Sequence, residues 1–367
     1  MRVTLDQVCY RGSSNLAQKE VSSMEGPYPI YGASGQIATA DFYHQSEPYV
    51  AVVKDGAGIG RTMLLPAYSS VIGTLQYLLP KGNILPDYLC YVVRHMKLAK
   101  YFSGATIPHI YFRDYKNEEF NLEPIERQKE IVSILNKLQQ IIEHRRAQLA
   151  KLDELVKCRF VELFGDPILN EKKWITKPVK ELTTKVGSGA TPKGGDSSYK
   201  DSGISLIRSL NVHNNIFKTK ELAHIDNEQA NQLSNVTIQS GDVLLNITGA
   251  SVARCCIVPD DILPARVNQH VCIIRCNDML NPLFLERLLT SDNYQTYLWN
   301  VAEGGGGTRQ ALTKQQIENF SIITPPITLQ ATFATFVSRI DKLRIGVQAT
   351  LEKAQTLFDS LMQEYFG

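Results

Sequence analysis

The chain has 367 residues, 43% of them apolar, and a net charge of +2 from 39 basic and 37 acidic side chains. That is enough apolar material for two or three ordinary cores, and no run approaches the roughly 18 uncharged apolar residues of a membrane span. The opening "MRVTLDQVCYRGSS" lacks the basic, apolar and small-residue order of an export signal, so a cytoplasmic protein without membrane contact is expected.

In chain order, the first strand-like run is "PYVAVV" (Pro48–Val53), which leads through "GAGIGR" (Gly56–Arg61) into the strand-like "TMLLP". The glycine stretch lacks the Lys-Ser/Thr ending of a phosphate loop and no helix pattern follows, so it reads as a turn between strands. "LPDYLCYVVRHMKLAKYF" (Leu85–Phe102) reads as a helix, and "GATIPHI" then leads to "EPIERQ". From Ile131 the residues Leu135, Leu138, Ile142, Arg145, Leu149, Leu152, Val156, Arg159 and Leu163 follow in steps of four and three. That is the a/d seam of a coiled coil. Pro124 suits a helix start and Gly165 a left-handed helix end, which predicts one helix of about 40 residues, roughly 60 Å long.

The same order then recurs. A shift of 202 positions lays 121–165 on 323–367 without a gap, with ten of 45 pairs identical, among them Pro124/Pro326, Gln128/Gln330, Phe164/Phe366 and Gly165/Gly367. The second seam runs Phe333, Val337, Ile340, Arg344, Val347, Leu351, Ala354, Phe358, Leu361, Tyr365. Upstream, "DVLLNI", "GASVAR" (Gly249–Arg254) and "RCCIVP" follow the pattern of the first copy, as does the helix-like "NPLFLERLLTSDNYQTYLWNV" with Asn281 as its N-cap. A long helix with one apolar stripe needs a packing partner, and each copy is the obvious partner of the other. The expected fold class is α+β, a mixed α/β architecture of two tandem domains (1–120 and 166–322), each followed by a long helix (121–165 and 323–367). The two helices are expected to form an antiparallel coiled coil.

The chemistry is that of a binder. Seven irregularly spaced cysteines, with "CC" and "CIIRC" alternating with Ile and Val, read as buried strand thiols and not as a zinc site. No nucleophile elbow, HExxH or cofactor-type G-x-G appears, and "TPPI" lacks the Asp/Asn-Pro-Pro-aromatic loop of amino-methyltransferases. No catalytic residue and no metal is expected. Residues 172–220 carry ten Lys/Arg against three acids, and 221–320 six against eleven. Such a run is either a solvated face or a phosphate contact. Nearby, "TPKGGDSSYK", "LIRSLNVHNN", "ARVNQH" and "GGTRQA" supply Arg, Asn, Gln, Lys and Ser in loops, the residue types that read guanine, adenine and phosphate.

Taken in order, "YPIYGASGQIATADFY", "GSGATPKGGDSSYKDSGISLIRSLNV", "GDVLLNITGASVARCCIV" and the repeated "P-I-x2-Q…L-F/Y-F-G" helices resemble the specificity (S) subunit of Type I restriction–modification systems over essentially the whole chain. The resemblance implies two target-recognition domains, each reading half of a bipartite, asymmetric double-stranded DNA target, with the long helices as spacer. It implies as partners two methyltransferase (M) subunits and restriction (R) subunits. It also implies no cofactor of the chain's own, S-adenosylmethionine being held by the M subunits. By motif it carries DNA contact to Tyr31, Ser34, Lys54 and Arg61 in the first domain. In the second it points to Thr191, Lys193, Arg208, Asn211, Arg254, Asn268, Gln269, Arg309 and Gln310. The first domain has "YPIYGASG" where the second has "TPKGG", which fits unlike half-sites. Two other readings are a coiled-coil scaffold whose domains bind protein, and a methyltransferase with an unrecognised catalytic centre.

Overall fold

The apolar run Tyr49–Val53 is buried at all five positions because it is an inner strand covered on both faces. It belongs to an antiparallel four-stranded sheet in the order Cys9–Ser13, Leu75–Pro80, Tyr49–Val53, Thr62–Leu65. Alternation along the strand divides its side chains between two cores. Val50 and Val52 face the helix Pro86–His95, while Tyr49, Ala51 and Val53 face a three-stranded sheet. That second sheet has the order Gly35–Ala40, Tyr28–Gly32, Ser70–Val71, with the last pair parallel.

The computed structural model, which describes residues 1–104, 108–192, 195–304 and 310–367, divides into two units. One comprises Met1–Gln148 with Val347–Gly367, the other Leu149–Gly346. The second unit repeats both sheets of the first in the same order and adds a hairpin, Val212–His213 with Ile216–Phe217. Its four-stranded sheet runs Thr183–Ser188, Val271–Cys276, Val243–Asn246, Cys255–Ile257, and its three-stranded sheet Ala223–Ile225, Ile204–Ile207, Ala265–Val267, again with the last pair parallel. A two-stranded ribbon closes each domain: Arg2–Thr4 with Glu119–Asn121, and Thr176–Pro178 with Ser321–Ile323. The duplication read from the helices therefore extends to both sheets and to the closing ribbon.

The long helices span Ile125–Phe164 and Ile327–Phe366, each beginning one residue after its proline. In the first unit Ile131 and Leu135 share a core with Met362 and Phe366; in the second, Val156, Phe160 and Phe164 share one with Phe333, Val337 and Ile340. Within each unit the start of one helix thus lies antiparallel to the end of the other. Along the seam Leu135, Ile142, Val156, Val337 and Ile340 are buried, and Leu138, Leu149, Leu152, Val347, Leu351 and Phe358 half-buried. A stripe of a/d positions does not include Phe160, Phe164, Met362 or Phe366, all buried. Near its ends each helix packs on a domain as well as on its partner, so the apolar arc widens.

Two helix readings change. The segment Asn281–Val301 is two helices, Pro282–Leu289 and Asp292–Glu303, because Thr290 turns its hydroxyl back to Glu286 O (2.9 Å) and Ser291 starts the next helix. Asn281 caps the first of them, accepting from Leu283 N at 3.0 Å. Likewise the helix after Leu85 stops at His95, where Lys97 adopts φ 50°, and a 3₁₀ turn Leu98–Tyr101 follows. Five cysteines are buried, and burial pushes the Cys9, Cys256 and Cys272 thiols up to about 12. Among the described residues no cluster of His, Cys, Asp and Glu could hold a metal, and no helix is long and apolar enough to cross a membrane.

The glycine turns also correspond. Gly60 N donates to Val53 O at 2.8 Å and Ala253 N to Asn246 O at 2.9 Å, with φ of 78° and 70°. The second copy holds an alanine in the left-handed region, whereas at Gly60 a Cβ would lie 2.6 Å from Ala99 N. Gly60→Ala is accordingly expected to cost about 1–3 kcal/mol, measured by urea unfolding; an unchanged midpoint would disprove the backbone clash.

Candidate nucleic-acid interface

In the first unit the turn Gly56–Arg61 links the inner strand to the edge strand Thr62–Leu65, and two bonds tie it to neighbouring loops. Gly56 N donates to Pro108 O at 3.0 Å, and the exposed Arg61 donates through Nη1 to Ala33 O at 2.7 Å. The result is a cleft of about 430 Å³ whose lining includes Ser34, Asp55, Gly58, Arg61 and Thr74. Ser34 and Arg61 are thus brought together. Asp55 Oδ1 lies 2.7 Å from His109 Nδ1 and orients that ring beside the turn. Tyr31 is half-buried and packs on the core beneath the hairpin. The main chain of Lys54 is held by Thr74 O (3.0 Å) and Ile110 N (2.9 Å).

The second unit builds the same end of the sheets from different side chains. Gly249 N donates to Gln310 O at 3.0 Å, matching the Gly56–Pro108 bond. Asn268 N donates to Ile207 O (3.1 Å), Ile247 N to His270 O (3.0 Å) and Leu312 N to Ile247 O (2.8 Å), so four chain segments knit together there. Across their surface runs a line of polar contacts. Thr191 Oγ1 bonds Gln269 Oε1, Gln269 Nε2 lies 3.1 Å from His270 Nε2, and His270 Nδ1 lies 2.6 Å from Thr248 Oγ1. Arg208 stacks over Tyr199 with its guanidinium carbon 5.2 Å from the ring centre, and donates to Glu221 O at 2.6 Å. Burial, then Lys218, then Arg254 hold the His213 imidazole below its ordinary range.

Asn211 is fully buried, accepting from Arg208 N (3.0 Å) and donating to Lys218 O (2.9 Å). Asn268 is 5% exposed and accepts from His270 N at 3.0 Å. Both shape the loops that carry the exposed groups. The lysines of the 172–220 run are dispersed: Lys172 donates to Glu162 O (2.6 Å) at the end of the first long helix, Lys180 to Asn319 Oδ1 (3.1 Å), and Lys200 pairs with Asp226 at 3.4 Å. Lys193 and Arg309 lie outside the described residues.

With this geometry in view, the sequence profile of the type I restriction modification DNA specificity domain matches residues 1–153 and 171–354. The chain belongs to this family. Among relatives within it, the type I restriction enzyme MjaVIII specificity subunit of Methanocaldococcus jannaschii is 22% identical over 317 residues, covering 81% of this chain and 73% of that one. A candidate specificity subunit of the MjaX enzyme from the same organism is 23% identical over 290 residues; the match spans 72% of this chain and 63% of the relative. The crystal structure of a type I restriction–modification S subunit from M. genitalium superposes with a TM-score of 0.69 at 14% identity, covering 100% of this chain and 96% of that one. The two-domain, two-helix fold of the specificity family is therefore shared where the sequence has diverged. Within this specificity-domain chain, His109, Thr248 and His270 stand beside the candidate residues, and sequence reading did not single them out. His270 ends the polar loop "ARVNQH", but only the bonds to Gln269 and Thr248 distinguish it from the buried Asn268.

Proposed function

We propose that this chain is the DNA-reading subunit of a type I restriction–modification system, each domain reading one half of a bipartite asymmetric target. The observation that carries the reading is the pairing of one topology with two different polar surfaces. Both units present a stitched glycine turn ending in arginine, Arg61 in one and Arg254 in the other. Around that shared frame stand Ser34, Asp55 and His109 in the first unit, and Thr191, Gln269 and His270 in the second. A duplicated frame with unlike edges suits two unlike half-sites, since phosphate contacts position a protein and base-edge contacts specify. In this reading two methyltransferase subunits and the restriction subunits dock on the chain. The S-adenosylmethionine belongs to the methyltransferase subunits, and the complex acts on cytoplasmic DNA.

Selection of binding sites from random duplexes with the full chain tests this. A split motif is expected, with affinity falling about tenfold or more between about 50 and 200 mM salt. In the same preparation, labelled S-adenosylmethionine should pass no label to DNA without a methyltransferase subunit. Absence of any sequence preference would favour a protein-binding scaffold; sustained label transfer would reveal a catalytic centre.

A further inference from the structure

We propose that a lysine-lined cleft beside the reading loops of the second unit binds the DNA phosphates bordering its half-site, an inference that rests on the DNA-reading function above. The cleft measures about 550 Å³, and its lining includes Lys180, Thr184, Lys185, Ser188 and Lys314. Its one acid among the described residues is Glu318, which Lys314 engages at 3.5 Å. Lys180 donates to Asn319 Oδ1 at 3.1 Å and Lys185 to Asn235 O, which holds both ammonium groups at the walls with N–H groups to spare. Ammonium and hydroxyl donors around an open cleft suit phosphate oxygens, which only accept.

Two walls of the cleft start at the reading loops. The edge strand Thr183–Ser188 runs up to Gly189, whose N donates to Asn268 O at 3.1 Å, and on to Thr191 beside Gln269. The helix Lys314–Asn319 begins just after Leu312, whose N donates to Ile247 O at 2.8 Å. Lys185 lies three residues behind Ser188, a distance of about 10 Å along a strand. The DNA major groove is about 8.5 Å deep. With the loops in the groove, the lysines therefore stand level with the phosphates along its rims.

The fold does not require this charge. Strand register places Tyr10 of the first unit where the second has Lys185. The 202-residue repeat places Phe112 at Lys314. Leu5 N donates to Glu118 O as Val179 N does to Phe320 O, which places Asp6 at Lys180. The same walls thus stand in the first unit with no cation at these three positions, and the contact belongs to the second half-site alone.

The test uses the full chain and its selected duplex. Lys185→Gln combined with Lys314→Gln should weaken binding equally for every single-base variant of that duplex. The slope of log affinity against log salt should become shallower by about two. Single phosphates of the second half-site are then neutralised as methylphosphonates. One or two of these linkages should weaken the wild-type chain and leave the double variant unaffected, and the first half-site should show no such difference. An unchanged salt slope, a loss confined to particular bases, or equal sensitivity of both proteins to every linkage would overturn the inference while leaving DNA reading intact. So would a double variant that binds DNA normally but no longer binds a methyltransferase subunit, which would make the cleft a protein contact. A wild-type chain with no base preference would overturn both, and so is distinguishable.

Discussion

Phe164→Ala is expected to destabilise the second unit by about 3–5 kcal/mol, the cost of emptying a fully enclosed aromatic site. Phe164 has no exposed surface, and its ring centre lies 4.7 Å from Phe284, 5.1 Å from Phe160 and 5.4 Å from Phe333. Those rings come from the domain helix and from both long helices, so no single neighbour can relax into the void. The repeat-related Phe366 caps the other unit, 5.1 Å from Tyr88 but 6.2 Å from His95 and 6.3 Å from Tyr365, with 4% exposure, so its rings stand farther off. Phe366→Ala should therefore cost less. Hydrogen exchange locates the damage: Phe164→Ala should lower protection within 149–346, and Phe366→Ala within 1–148. Equal loss throughout the chain for either variant would refute this assignment of the helix ends.

Gln330→Ala is expected to cost about 2–4 kcal/mol, because three backbone groups lose their partner in a dry site. Gln330 is fully buried; it accepts from Asn281 N at 2.8 Å and donates to Pro325 O at 2.8 Å and Met279 O at 3.2 Å. Its counterpart Gln128 makes the same three bonds, to Leu85 N (2.8 Å), Glu123 O (2.8 Å) and Asn83 O (3.0 Å). Each glutamine pins the first turn of a long helix to the start of a domain helix. Gln330→Glu adds a test with a sign. The carboxylate would face two carbonyl oxygens without water, so its folded-state pKa must rise above the unfolded value. Such a group favours folding when protonated, so stability should be greatest in acid and fall as pH rises through the ordinary carboxylate range and above. Thermal unfolding of the variant between about pH 4 and pH 8, read against wild type, decides it; a pH-independent difference would mean that the site admits water.

These two positions also explain which repeat identities mattered. Pro124/Pro326, Gln128/Gln330 and Phe164/Phe366 are the points where each helix starts, is latched and ends against a domain. Between them Leu149, Leu152, Val347 and Leu351 are half-buried, and four more identities fall there: Ala147/Ala349, Leu149/Leu351, Lys151/Lys353 and Leu155/Leu357.

The site was less legible than the frame. "ARVNQH" showed that a polar loop follows a strand, yet Arg266 donates to Ala230 O (3.1 Å), Asn268 is buried, and only Gln269 is exposed. Residue type cannot separate these roles. Exposure there depends on which carbonyls of Ile207 and Ala230, far off in sequence, approach the loop.

The sequence by itself determined the duplication, the two long helices with their proline and glycine ends, the strand–turn–strand units and the family. All of these are written in local periods, in φ preferences and in a repeat that can be counted. Only the tertiary structure decided that the end of the second helix closes the first unit on Tyr88, that the end of the first closes the second unit on Phe284, and that Gln269 is tied to Thr191 and His270 to Thr248. Those are contacts between residues tens to hundreds of positions apart, set by packing complementarity, for which no local pattern in the chain encodes the partner.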